Sequence, residues 1–261
     1  MTSRPIDTSR PHSARMYDYY LGGKDSYPVD EEAAKRVISM VPEIRTVARA
    51  NRSFMHRASL LLAQRGISQF LDIGTGIPTP PNLHQVVQGV NPSAKVVYVD
   101  NDPVVLRHAE ALLRSTKEGQ TRYVEADVRD PKEIIQGAKE ILDFNEPIAL
   151  SLVALLHFVP DEDNPDSIVN ELLESIAPGS YIVLSHVTGD FDPAGWKKAV
   201  DLYRQSGVPA QVRSRREVSR FFTGLDLVEP GVQVVTQWHP DSDEVLSGDQ
   251  VSLYVGVAQK T

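Results

Sequence analysis

With 261 residues, 41% of them hydrophobic, the chain holds enough apolar material for the core of one large α/β domain, or of a domain with an appendage. It contains no cysteine, which excludes disulfides, thiolate-bound zinc and a cysteine nucleophile. A formal net charge of −8 argues against a broad phosphate-binding face, and hence against nucleic acid as a partner.

The polar N-terminus has no apolar run. The longest apolar stretch, Ile148 to Val159, is broken by Ser151 and His157 and is too short for a bilayer. A soluble, cytoplasmic protein is expected. Residues 1–13 carry Ser, Thr, Arg and Pro without periodicity and read as a mobile tail. The next stretch, SARMYDYYLGGKDSYPVD, crowds Tyr17, Tyr19 and Tyr20 beside Gly22-Gly23 and Lys24. It reads as a short amphipathic helix ended by glycine, and also as a lid in which Tyr17, Tyr20 and Lys24 face a ligand.

Asp30 is the expected cap of a helix from about Glu31 to Val41, and Pro42 suits the first turn of the next. That second helix has an apolar stripe of Ile44, Val47, Ala48, Phe54, Met55, Ala58, Leu61 and Leu62, with Asn51 inside it. A buried amide needs partners, so Asn51 either satisfies a nearby backbone group or, like its neighbour Arg52, faces a ligand.

Phe70 to Pro80, FLDIGTGIPTP, has the pattern of a buried strand, a tight glycine turn and a helix start. Gly74 and Gly76 lack Cβ atoms where a ligand would lie against the main chain. Asp72 beside them would repel a pyrophosphate but suits an ammonium group. The dinucleotide pattern GxGxxG wants a glycine at 79, where Thr79 stands.

Val96 to Val99 is a second strand ending at Asp100, and Asp102-Pro103 opens the helix after it. Capping accounts for Asp102 and leaves Asp100 free to clamp a nucleoside ribose. The unit repeats with a strand from Arg122 to Ala126 before Asp127, and a helix opened by Asp130-Pro131. The apolar run from Pro147 to Leu156 precedes His157, and a strand from Tyr181 to Ser185 precedes His186. Asp192-Pro193, and Ser214 with Glu217, mark two further helix starts. Leu225–Val228, Gln233–Trp238 and Ser252–Ala258 then read as strands, with a polar loop at 241–249, and suggest a hairpin closing the sheet edge.

The alternation from 67 to 187 predicts five parallel strands in right-handed crossovers. Asp72 to Gly76, Asp100, Asp127, His157 and His186 all fall at strand ends on one edge, where such sheets bind ligands. The expected division is a tail (1–13), an N-terminal helical extension or lid (14–66) and a Rossmann-like core (67–261).

DIGTGIPT, YVDND, EADV and PGSYIVLSH resemble the motifs of class I S-adenosylmethionine-dependent methyltransferases. The resemblance implies a mostly parallel seven-stranded sheet with helices on both faces and an N-terminal helical extension. It implies that Asp72, Gly74 and Gly76 hold the methionine part, Asp100 the ribose and Asp127 the adenine amino group. Thr75, Asn101 and Val128 are implied as contacts beside them, with S-adenosylhomocysteine as product. Pro78 departs from the class, which often has a third glycine there.

More narrowly, ARMYDYYLGGKD, RANRSFMHRA, FLDIGTGIPT, YVDNDPVVL and PGSYIVLSH resemble a bacterial family called the S-adenosyl methyltransferase family. That likeness runs from about Ser13 to Gln259 and implies cofactor and fold but no substrate.

Methyl transfer needs the reactants aligned and desolvated, and in some cases a base to unmask the acceptor. After the fourth strand stands VALLHFVPD in place of the Asn-Pro-Pro-Tyr of exocyclic-amine methylators. With the acidic charge, this favours O- or N-methylation of a small molecule over DNA or RNA. His157 is the candidate base, with an ordinary imidazole pKa near ~6.5, unless it is a strand-end histidine bonded to backbone. His186 is a second candidate. No metal is expected. Two rival readings are a non-catalytic S-adenosylmethionine-binding regulator, with the same binding residues, and an NAD(P)-dependent reductase, which would want glycine at 79.

Overall fold

Three helices precede the first strand: α1 (Ser13–Leu21), α2 (Pro28–Met40) and α3 (Ile44–Gln64). The computed structural model describes residues 7–112, 114–240 and 251–261. α2 starts at Pro28, earlier than expected. Proline at the first helical position gives up an N–H that would be unpaired anyway. Asp30 therefore falls in the first turn and reaches back to the Tyr27 amide at 2.9 Å. α3 buries its apolar stripe, Asn51 included, except for half-buried Leu61.

The segment expected to be a free tail is engaged from Asp7. The Asp7 carbonyl accepts from Arg15 at 2.9 Å, and the His12 amide donates to Asp30 at 2.8 Å. Residues 1–6 lie outside the described residues.

The core alternates β1 (Gln69–Ile73), α4 (Leu83–Gln88), β2 (Lys95–Asp100), α5 (Pro103–Leu112), β3 (Gln120–Glu125), α6 (Pro131–Ala138) and β4 (Ala149–Leu152). It continues with α7 (Pro165–Ser175), β5 (Tyr181–Val187), α8 (Pro193–Gln205) and α9 (Arg215–Arg220). β6 (Asp226–Leu227), β7 (Gln233–Val234) and β8 (Leu253–Gln259) complete the sheet. The expected caps are in place: Asp130 accepts from the Glu133 amide, Asp192 from the Gly195 amide, and Ser214 and Glu217 form a capping box.

The strand order is β3-β2-β1-β4-β5-β8-β6, with β7 also on β8. β1 to β5 are parallel to their neighbours, and β8 runs antiparallel to β5. Among the described residues the sheet has eight strands rather than seven. The C-terminal stretches do not form a simple edge hairpin either. β8 inserts beside β5, and two-residue β6 and β7 each pair antiparallel with it. The polar loop at 241–249 lies outside the described residues.

Side chains alternate between two cores. Phe70, Val96 and Tyr98 pack with α2, α3 and α8, while Leu71, Ile73, Val97 and Val99 pack with α6 and α7. With both faces covered, the open edge of the parallel strands is the carboxyl end, which α1 and α3 overhang.

Candidate active site

The turn after β1 is pinned to the end of β2. The Gly74 and Thr75 amides donate to the Val99 carbonyl at 2.8 and 3.1 Å, and the Gly76 amide donates to Asp100 Oδ2 at 2.8 Å. Gly74 and Gly76 have φ of +76° and +68°, a region that charges other residues about 1–2 kcal/mol. A Cβ on Gly74 would stand 2.6 Å from a Leu155 methyl, whereas the space beside Gly76 is open. Asp100 Oδ1 accepts from the Asp102 amide at 3.0 Å, so both carboxylate oxygens are held by backbone amides.

Asp72, Gly74, Thr75, Gly76, Asp100, Asn101, Asp127 and Val128 all line one cavity of about 290 Å³. Tyr17 and Arg52 are in the same wall, with Pro11, His12, Ser13 and Ala14 roofing it. Burial pushes the Asp72 carboxyl above the usual carboxylate range, and the Thr75 hydroxyl and Arg52 charge offset this only in part. Asp100 is likewise pushed up by burial, against the bonds from the Asp102 and Gly76 amides. Burial would raise Asp127 too, but the Arg129 amide, Asn101 and the Arg129 guanidinium together hold it below its ordinary value. Arg52 donates to the carbonyls of Thr79 and Pro81, clasping the exit of the glycine turn.

Asn51 bonds side chains, not backbone. Its Nδ2 donates to the Tyr17 hydroxyl at 2.8 Å, which donates to the Ala48 carbonyl at 3.0 Å. Its Oδ1 accepts from Ser185 at 2.6 Å, and Ser185 Oγ accepts from the Ala154 amide at 2.7 Å. Ala154 sits at φ +56°, just past β4. This chain ties α1 to the ends of β4 and β5, and such strain in a non-glycine residue is held by its surroundings. Tyr17, Asn51 and Ala154 also line a second cavity, of about 50 Å³, beside the first.

Other sequence-predicted residues go elsewhere. Tyr20 lines the second cavity, its hydroxyl 2.8 Å from that of Tyr203. Lys24 is exposed beyond the end of α1 and does not join the site. His157 lines the second cavity but is not the near-neutral base expected. Burial, then neighbouring His186 and Arg213, push its imidazole well below the ordinary value. His186 is structural: its Nδ1 bonds the Val187 carbonyl at 2.7 Å, and Arg213 donates to its Nε2 at 2.8 Å. Burial and Arg213 bring it down to about 3.

Sequence reasoning missed Arg15. It is 3% exposed and donates through Nε to Asp102 at 2.8 Å, with Asp30 at 3.9 Å. It also missed Arg129, whose Nη2 donates to the Phe158 carbonyl at 3.0 Å and bridges the third acid to the loop after β4.

Five parallel strands, a glycine turn after β1 and acids at the ends of β1 and β2 and just past β3 match the fold of class I S-adenosylmethionine-dependent methyltransferases. Human N-acetylserotonin methyltransferase, in complex with S-adenosylmethionine, shares this fold at a TM-score of 0.53 and 15% identity, over 97% of this chain and 63% of its own. The whole chain, residues 1–261, matches the model described as S-adenosyl methyltransferase, and it belongs to that family.

A DUF574 family protein of Streptomyces avermitilis is 46% identical, with a TM-score of 0.96, over 98% of this chain and all of its own. A candidate methyltransferase of Thermobifida fusca is 37% identical, with a TM-score of 0.90, over 98% of this chain and 97% of its own. No curated protein matches the chain. Among the described residues, no helix is long and apolar enough to cross a membrane.

Proposed function

We propose that this chain binds S-adenosylmethionine in the larger cavity and methylates an oxygen or nitrogen of a small molecule. One observation carries the reading: eight residues implied by the motifs meet in a single cavity of about 290 Å³, near the ~300 Å³ lower end of small-molecule sites. The residues fit the group. Gly76 leaves open space where a Cβ would project, and Asp72 and Asp100 are buried acids whose desolvation a cationic ligand relieves. Asp72 and the Gly74–Gly76 turn would hold the methionine part, Asp100 the ribose hydroxyls, and Asp127 the adenine amino group.

S-adenosylmethionine, when bound, supplies a methyl on a positively charged sulfur, which an acceptor lone pair displaces while the carbon–sulfur electron pair stays on sulfur. The protein's own share is position and dryness. Tyr17, held by Asn51, lines both cavities, and residues 11–14 cover part of the larger one, which would limit water beside a bound cofactor. His157, neutral at neutral pH, is suited to orienting an acceptor by hydrogen bonding and not to strong base catalysis. The net charge of −8 and a second cavity of only about 50 Å³ support a small acceptor over nucleic acid.

A labelled-methyl screen of phenols, carboxylates, amines and neutral alcohols tests the reading. Transfer to at least one small acceptor is expected, and transfer only to nucleic acid or protein overturns it.

A pH dependence follows from the raised acids. A cationic ligand favours ionised Asp72 and Asp100, so affinity is full above their raised pKa values and falls as the pH drops through them. Binding in mildly acidic buffer should therefore release protons, measured by calorimetry in buffers of different ionisation enthalpy. S-adenosylmethionine, with two cationic centres, should lose more affinity on acidification than S-adenosylhomocysteine.

A further inference from the structure

We infer that the second cavity binds an uncharged, branched-alkyl portion of the methyl acceptor. The inference rests on the cofactor reading above and specifies what lies next to it. Along the sheet edge the cofactor acids follow the order β3, β2, β1, with Asp127, Asp100 and Asp72 as markers. The next strands in that direction are β4 and β5, and the second cavity lies at their ends, against Ala154, His157 and Val187. Tyr17, Asn51 and Ala154 line both cavities, so the two lie side by side at that wall, and an acceptor spanning them would pass there.

The wall chemistry sets the class of occupant. Among the described residues no carboxylate, lysine or arginine lines the second cavity, and most of its lining side chains are aliphatic or aromatic. Its polar side chains are largely spent on partners within the protein. Asn51 is used by Tyr17 and Ser185, Tyr20 faces Tyr203, and Gln211 bonds the amide and the carboxylate of Asp161 at 2.9 and 2.8 Å. Two buried atoms in the lining residues have no partner: Nε1 of Trp196, a donor, and Nδ1 of His157. A carboxylate or ammonium here would lose its water and gain no counter-charge.

Trp196 and His157 thus each keep a polar atom without a partner, and a neutral hydroxyl could bond such an atom without bringing a charge into the cavity. Size narrows it further. About 50 Å³ is a third of the ~150 Å³ dry cavity that takes up benzene, so a branched alkyl end fits and a whole ring does not.

The test uses full-length protein saturated with S-adenosylhomocysteine and three probes of one carbon skeleton: 3-methylbutan-1-ol, 3-methylbutanoate and 3-methylbutylamine. Ligand-observed NMR titrations should show the alcohol binding at least about tenfold tighter than either ion, given the desolvation penalty. Val200→Phe, on α8 in the cavity wall, should abolish alcohol binding while leaving the affinity for S-adenosylhomocysteine and the melting temperature unchanged. Ala48→Val, on α3 in the same lining, is the second filling variant should the first fail to fold, and should weaken the alcohol likewise.

Equal binding of the three probes, tighter binding of an ion, or full alcohol binding in a folded filled variant overturns the inference. Failure of S-adenosylhomocysteine to bind overturns the cofactor reading instead. The same probe series on cofactor-free protein then decides the cavity's preference by itself.

Discussion

Arg15→Met should destabilise the fold by about 3–5 kcal/mol, as breaking a buried ion pair from one side does. Asp102 and Asp30 are 1% and 0% exposed, and Arg15 Nε lies 2.8 Å from the first of them. The guanidinium also holds the Asp7 carbonyl and stands 5.3 Å from the Tyr27 ring centroid. Methionine fills much of the volume but leaves buried carboxylates without their cation. They keep other partners, since Asp102 accepts from the Val104 amide at 2.9 Å and Asp30 from the His12 and Tyr27 amides, so their charge persists while its counter-charge is gone.

Urea unfolding measures the loss. The double variant Arg15→Met, Asp102→Asn should recover part of it by removing one orphaned charge. A loss below about 1 kcal/mol in the single variant would show a pair no stronger than an exposed one. Because Ser13 and Ala14 roof the larger cavity, the single variant should also bind cofactor less tightly.

Asp100→Ala should weaken S-adenosylhomocysteine binding by about 1–3 kcal/mol, the range for lost charge-assisted hydrogen bonds. The upper end is expected because the carboxylate works in two directions. It would offer lone pairs to a bound ribose, and it receives the Gly76 and Asp102 amides at 2.8 and 3.0 Å. Without it, the glycine turn loses its tie to β2. Asp100→Asn tests this division: one amide oxygen still accepts, but the NH₂ opposes a backbone N–H, so binding should fall nearly as far. Calorimetry gives the affinities and thermal melts check the fold. Unchanged affinity in folded Asp100→Ala would remove the ribose role.

What was legible in the sequence was local. The strand–turn–helix at Phe70–Pro80 and the acids at 72, 100 and 127 could be read because strand ends, glycines and caps are encoded within a few residues. What was not legible depends on long-range pairing. Arg15 and Asp102 are 87 apart in sequence, and a lone arginine in a polar tail reads as solvated. The Tyr17–Asn51–Ser185 chain joins three elements, so the buried amide signalled a need for partners without naming them.

Lys24 was drawn into the expected lid by proximity to the tyrosines, but Gly22, at φ +87°, ends α1 before it and leaves it in solvent. His157 was expected directly after a strand reaching Leu156, but β4 ends at Leu152 and His157 sits in a 3-10 turn, Leu156–Phe158, in the loop beyond it. Its burial against His186 and Arg213, which sets its basicity, comes from β5 and the segment before α9.

The central claim is that the edge formed by β3, β2 and β1 is an S-adenosylmethionine site and not a dinucleotide site. Calorimetric titration of the purified full chain with S-adenosylhomocysteine, and separately with NADH, tests it most directly. Saturable one-site binding of S-adenosylhomocysteine with no heat from NADH is the expected result. Binding of NADH, or no binding of S-adenosylhomocysteine by folded protein, would contradict it.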